Sequence, residues 1–315
     1  MLTATPAPAR RAVATLPHYF VPMTFNEGGR IDSGRVRSSR GGKGAAIGGG
    51  AGILVLLVYL FTGQDLSGMF GGGEPSQQES GISLEHCQTG ADANEYVECR
   101  MVAGAESLDA FWQAALPEQA DIEYRQPGFE VFEGSVATGC GDATSAVGPF
   151  YCPPDESVYL DTGFFDQLET QLGAENAPLA QLYIVGHEWG HHISNQQGIM
   201  DQMDRQDTGP ESDGVRLELQ ADCYAGMWLS HAANTPDPNS PDNAPLLKAP
   251  TQEELTDALD AAAAVGDDRI QKGAGQEVNP EAWTHGSAEQ RMRWFTTGYE
   301  QGTMAACDTF SAGQL

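Results

Sequence analysis

Residues 177–197, APLAQLYIVGHEWGHHISNQQ, constrain this chain more than any other stretch, because they read as a single helix with both ends marked. Asn176 is placed to accept a hydrogen bond from the free amides of the first turn, Pro178 suits that turn, and Gly198 offers a left-handed stop. Within the helix stands His187-Glu188-Trp189-Gly190-His191. Residues i and i+4 lie one above the other, so His187 and His191 project from one face and can give two imidazole nitrogens to one metal ion. Glu188 is turned about 100° from His187, which sets its carboxylate beside such an ion rather than on it. The apolar residues ahead of the motif, Leu179, Leu182, Ile184 and Val185, predict a helix packed in a core.

Two histidines and a carboxylate at this spacing form the H-E-x-x-H arrangement of zinc hydrolases. They do not complete a catalytic zinc (Zn2+) site, which takes three protein ligands and keeps a fourth position open. One known completion, a histidine six residues on with a glycine between, is closed here because those positions are Gln197 and Ser194. The other is a Glu from a following helix. After the polar loop 201–213, VRLELQADCYAGMWLSH predicts that helix, with Glu218 and Asp222 four apart on a shared face. Glu218 is read as the third metal ligand. Asp222 is read as the partner of the far ring nitrogen of His187 or His191, fixing the tautomer, because Glu-x-x-x-Asp is the usual order in such sites. A solvated acidic face is the alternative for this pair. Leu217, Leu219, Tyr224, Met227 and Trp228 around it argue instead for burial, where carboxylates need partners.

The charge is divided unevenly along the chain. Residues 1–43 carry seven of the 16 Arg and Lys against Glu27 and Asp32, while the rest holds nine basic and 42 acidic side chains. A surface so negative repels phosphate backbones, which excludes nucleic acid as a partner of the main domain. The Ala/Pro-rich residues 1–22 read as disordered, with Met23 as an alternative start. Together, 1–43 form an expected disordered basic cytoplasmic arm. Residues 44–63, GAAIGGGAGILVLLVYLFTG, hold no charge over about twenty residues, which predicts one transmembrane helix. Basic residues ahead of it place the N-terminus in the cytoplasm and the C-terminal part outside the cell membrane, a single-pass topology. Residues 64–80 are a Gly/Pro/Ser-rich flexible linker, and 81–315 the catalytic domain.

All six cysteines lie beyond residue 80. An even number in an exported domain predicts disulfides; six allow 15 pairings, of which the sequence-neighbour set is Cys87–Cys99, Cys140–Cys152 and Cys223–Cys307. The last would brace the helix of Glu218. Helices are expected at 107–116 with Phe111 and Trp112 inward, at 163–172, from the capping box Thr251/Glu254 to Val265, and after the cap Ser287/Gln290. Strands are expected at 129–137 and 157–161. The second of these is either an edge able to pair with an extended peptide or an ordinary internal strand. The fold class is therefore α+β: a mainly helical, zincin-like domain with a small sheet, preceded by one transmembrane helix.

HEWGHHISNQQG, RLELQADCYAGMW, THGSAEQRMRWF and CGDATSAVGPFYCPPDESVYLD together resemble the bacterial neutral zinc metallopeptidase family, membrane-anchored proteins of the Glu-ligand H-E-x-x-H class. The resemblance runs from about Met23 to Cys307. It implies a zinc peptidase fold, peptide or protein substrates, His187, His191 and Glu218 as ligands, and Glu188 as the base that takes a proton from water activated by the metal. His285, in a Thr-His-Gly turn, is a candidate catalytic donor to an oxyanion, with a structural role as the other reading. Arg291 is a candidate partner of Asp222 or a solvated residue, and Tyr224 a candidate oxyanion donor or a core tyrosine. His192 points away from the ligand face, to the surface or behind the ligands. The competing function is a catalytically silent, zinc-binding membrane-anchored scaffold, for which Glu188 has no use. An intramembrane protease is excluded because the only apolar span ends far upstream of His187.

Overall fold

The structure, a computed structural model, describes residues 24–40, 79–240 and 242–315. Eight helices and two sheets are formed among these residues. The helices are α1 (Gly90–Glu95), α2 (Val97–Ala120), α3 (Phe164–Leu172), α4 (Pro178–Gln196), α5 (Asp213–Ala232), α6 (Gln252–Ala264), α7 (Asp267–Gly273) and α8 (Ala288–Gln301). The strands are β1 (Arg37–Arg40), β2 (Glu79–Ser80), β3 (Gly128–Glu133), β4 (Ser135–Thr138), β5 (Gly141–Thr144), β6 (Phe150–Cys152) and β7 (Ser157–Asp161).

The motif helix α4 is the central pillar. Every one of residues 179–194 is buried, polar ones included, as expected of a helix apolar on most of its circumference. It packs between α2, α5 and α6. Its start differs from expectation: Ala177 is the cap, without a side-chain bond, and Asn176 instead accepts from Gln181 Nε2 at 2.6 Å. Gly198 follows it with φ +72°, the left-handed turn expected there.

Helices α5 and α8 approach so closely that neither tolerates a side chain at the crossing. A Cβ on Gly298 would overlap the carbonyl of Cys223, and one on Gly226 the carbonyl of Phe295. Such crossings bring two backbones together at a cost in helix propensity of about 1 kcal/mol per glycine. The disulfide Cys223–Cys307 ties α5 to the segment after α8. Cys87–Cys99 and Cys140–Cys152 complete the sequence-neighbour pairing, and no described cysteine is free.

The five-stranded sheet has the order β2-β1-β3-β7-β6, with β1, β3 and β7 parallel and the outer strands antiparallel. One face, with Phe129, Val131, Val158 and Leu160, joins the helical core. The other, with Phe132, Phe150 and Tyr159, is covered by the β4–β5 hairpin through Val136 and Ala143. Both faces are thus dry, so β7 is buried at all five positions. The expected strand 129–137 breaks at Gly134, φ +83°, into β3 and β4. Strand β7 is internal, between β3 and β6, so it is not the edge considered for a peptide.

Residues 24–40 correct the expected membrane topology. They are part of the domain rather than a disordered arm: β1 lies parallel to β3 from Arg37↔Glu130 to Arg40↔Glu133, and Phe25 is fully buried and bridges Leu247. Thr24 Oγ1 donates to Glu254 Oε1 at 3.0 Å, the Asp32 backbone N–H donates to Glu106, and Arg35 pairs with Asp109 at 2.5 Å. The stretch 44–63, the first 22 residues and most of the linker lie outside the described residues. No described helix is long and apolar enough to cross a membrane. Moreover β1, before that stretch, pairs with β2, after it, at Ser39↔Ser80. The two flanks lie side by side in one sheet, which overturns an N-terminus inside with the domain outside, and with it the single-pass localisation.

Two measurements follow from this N-terminal docking. Phe25→Ala should lower the unfolding free energy by about 3–5 kcal/mol, and a chain starting at Gly81 should be less stable than the full chain in urea; equal midpoints would show that residues 24–40 are not part of the domain. Burial, together with the charges of Asp237, Asp32 and Asp109, raises Glu106 to about 7 despite the bond from Asp32. The folded state then binds a proton that the unfolded chain releases near 4.5, so stability is full below that pH and declines as pH rises to about 7. Glu106→Gln should flatten this decline, and a parallel pH profile in the variant would refute it.

Candidate metal centre

Helix α5 carries Glu218 to the two histidines. Its N-cap is Ser212, whose hydroxyl accepts from Val215 N–H, so the helix begins one turn and a half before Glu218. Gly190, the x before His191, makes the meeting possible: a Cβ there would stand 2.7 Å from the Ala221 Cα. Only a glycine lets α4 lie against α5 at this level.

His187 Nε2 and His191 Nε2 are 3.1 Å apart. Glu218 Oε2 is 3.2 Å from the first and Glu218 Oε1 3.4 Å from the second. All three residues are buried, and their ligand atoms lie within 4.8 Å of one another. Two donors at the usual 2.0–2.1 Å from a tetrahedral zinc stand roughly 3.3 Å apart. The spacing and the His-His-carboxylate donor set therefore fit such an ion. Burial opposes charge on His187, but Asp222 and Glu218 outweigh it and raise its pKa to about 9. A metal ion binding there would take the place of that proton. Burial also works against the Glu218 carboxylate, yet His191, His187 and His285 hold it well below the ordinary range.

Behind the histidines, Asp222 is completely buried and fully engaged. Its Oδ1 accepts from His187 Nδ1 at 2.8 Å, from Tyr183 Oη at 2.5 Å and from Arg291 at 2.9 Å; its Oδ2 accepts from Arg291 Nε at 2.7 Å. Burial alone would raise Asp222, but the Arg291 guanidinium and His187 lower it. Asp222 serves His187 and not His191, whose Nδ1 has no hydrogen-bond partner among the described residues.

Glu188 lines the same cleft as His187, His191 and Glu218 but is not one of the three groups placed to hold an ion. The backbone N–H of Tyr151 in β6 faces its carboxylate and favours the charged form. Burial raises it above the ordinary carboxylate range although His187 and His191 are near. His285 shares the same cleft with Glu188 and Glu218. Its Nδ1 is held 3.0 Å from Asp267 Oδ1, while Asp267 Oδ2 accepts from the backbone N–H groups of Thr284, His285 and Gly286 at 2.8, 2.7 and 3.1 Å. The sequence reading missed Asp267; only its place opening α7, eighteen residues from His285, hints at it. Tyr224 is outside the site, donating to Gln197 at 2.9 Å and packing edge-on to Trp112. His192 is fully buried, between Tyr151 Oη at 3.1 Å and the Arg125 carbonyl at 2.6 Å, and burial lowers it to about 4. It is neither a surface residue nor a neighbour of the ligands' far nitrogens.

The sequence profile of the family described as "Putative neutral zinc metallopeptidase" matches residues 25–310. The chain belongs to this family. The match starts at Phe25, in keeping with the docking of residues 24–40 on the domain. An uncharacterized protein of Mycobacterium tuberculosis is 48% identical over 235 residues, 75% of this chain and 78% of its own. The uncharacterized protein YpfJ of Escherichia coli is 36% identical over 281 residues, covering 86% and 91%. No solved structure matches the chain.

In this member of the neutral zinc metallopeptidase family, the closeness of α4 and α5 is open to a direct test. Gly190→Ala should push the two helices apart, lowering stability by about 1–3 kcal/mol and weakening zinc binding with it. Calorimetric zinc titration beside thermal unfolding reads both, and wild-type values for the variant would show that Gly190 sets no distance.

Proposed function

We propose that this protein is a zinc-dependent peptidase in which His187, His191 and Glu218 hold the metal and Glu188 is the general base. The observation that carries the reading is a buried carboxylate next to, and separate from, a complete set of three metal-ligating groups. A structural zinc site has no need of such a group, which favours catalysis over a silent scaffold. Zinc bound there supplies Lewis acidity, making water a ready nucleophile near neutral pH and polarising the scissile carbonyl.

The chain's own groups do the rest. Glu188, which lines the larger cleft, takes the proton of the attacking water and returns it to the leaving amine. Its raised pKa brings it closer to the working pH, where a base both is ionised and binds the proton firmly. Asp222 and Arg291 hold His187 in the tautomer whose Nε2 faces the metal. With Nδ1 of His285 engaged by Asp267, its Nε2 is the nitrogen able to donate to the oxyanion as the carbonyl is attacked.

Glu188→Gln is expected to retain stoichiometric zinc and lose turnover of a casein or peptide-library substrate, whereas His187→Ala loses the zinc as well. Full proteolysis by Glu188→Gln would refute the role of Glu188, and an unchanged zinc content in His187→Ala that of the histidine.

A further inference from the structure

The cleft at the metal group opens in two directions. One pocket, about 740 Å³ counting the space it opens to solvent, is walled by Phe150, Phe164, Leu172, Ile184, Val265 and Ile270, with His187, His191, Glu218, Glu188 and His285 along it. The other, about 420 Å³ on the same measure, is walled by Tyr151, Pro153, Met200, Met203 and Leu217. The two share His191 and Glu218 and no other residue, so the metal group lies between them. Apart from the ligands and the charged residues already placed around them, both are apolar; Arg205, which lines the smaller one, donates to the Met200 carbonyl at 3.1 Å.

Strand β6 runs past both. Phe150 lines the larger pocket, and Tyr151, the next residue, the smaller. It is also, among the described residues, the outer strand of the sheet on this side, the place where an extended peptide would add. Yet it gives such a peptide little to bind. The strand has three residues, and it is flanked by Pro149 and Pro153, which have no N–H. With main-chain donors so scarce, recognition falls to side chains entering the pockets.

On the peptidase reading, on which this rests, we propose that the site selects peptides bearing a large apolar side chain on each side of the scissile bond, one per pocket. Leu, Phe and Met have the size and chemistry for these walls. Met200 and Met203 make the smaller pocket adaptable, since unbranched thioether side chains repack around different guests. A carboxylate-bearing side chain is rejected by the larger pocket, where it would lose its water against Phe150, Phe164 and Leu172.

The test uses the full chain loaded with zinc and peptides varied at the positions flanking the cleaved bond. Replacing Leu, Phe or Met by Ala at either position should lower kcat/KM by about 10–200-fold. Ile270 and Met203 are only half-buried, one in each pocket, and can be changed without opening the core. Ile270→Glu should erase the apolar preference at one position and Met203→Glu at the other, each with zinc content unchanged. Calorimetric binding of the same peptides to Glu188→Gln protein reads the ranking without turnover. Equal binding of apolar and acidic peptides, or both variants altering the same position, overturns the proposal. Apolar-ranked binding with no cleavage by the wild type supports the pockets and overturns the peptidase reading instead.

Discussion

Arg291 reaches from α8 into the interior to neutralise Asp222, and the rest of the site depends on that contact. An isolated buried carboxylate is costly enough to take up a proton instead. A protonated Asp222 would hold less firmly the His187 ring whose Nε2 faces His191 and Glu218. The guanidinium also donates to Asp222 through two nitrogens, a fork that a lysine could not match. The hydroxyl of Tyr183 completes the carboxylate's shell from α4 itself. The imidazole, the carboxylate, the guanidinium and the phenol thus lock three helices together around one acidic group.

That lock needs α8 close to α5, and the sequence provides it with glycine. Gly226 and Gly298 each sit where the other helix's backbone carbonyl already fills the space for a Cβ. Gly190 does the same between α4 and α5. The three glycines set interhelical distances to within a methyl group, and the Cys223–Cys307 bridge keeps the chain beyond α8 against α5. The centre is therefore built on rigid elements, with the loop residue His285 brought to the same rigidity by the three backbone bonds that Asp267 accepts.

Much of the site was legible because its information is local. His187, Glu188 and His191 share one helical turn; Glu218 and Asp222 share another, and helical periodicity alone gives their faces. The capping boxes at Thr251 and Ser287 and the strand 157–161 were equally local. What escaped was pairing between distant segments. Residues 24–40 are rich in Gly, Ser and Arg, and only Phe25, Ile31 and Val36 mark them as core; their attachment is mostly backbone pairing, which any sequence can make. Position of β7 within the sheet could not be read either, since a strand buried on both faces looks alike at an edge or in the middle. Asp267 was missed because its partner His285 is set by a loop path, not by a period. Gly44–Gly63 reads as a span from its own hydropathy, but the pairing of its flanks is a fact about other residues.

The neighbouring ends of β1 and β2 have a topological consequence. Arg40 and Glu79 are register partners, so the residues on either side of 41–78 are held together in one sheet. The domain acts as a host with an insertion site at its sheet edge. Closing such a stretch costs chain entropy that grows only with the logarithm of its length. Both ends of that stretch are thus held at the sheet edge, by elements other than α4, α5 and α8, which carry the candidate metal site.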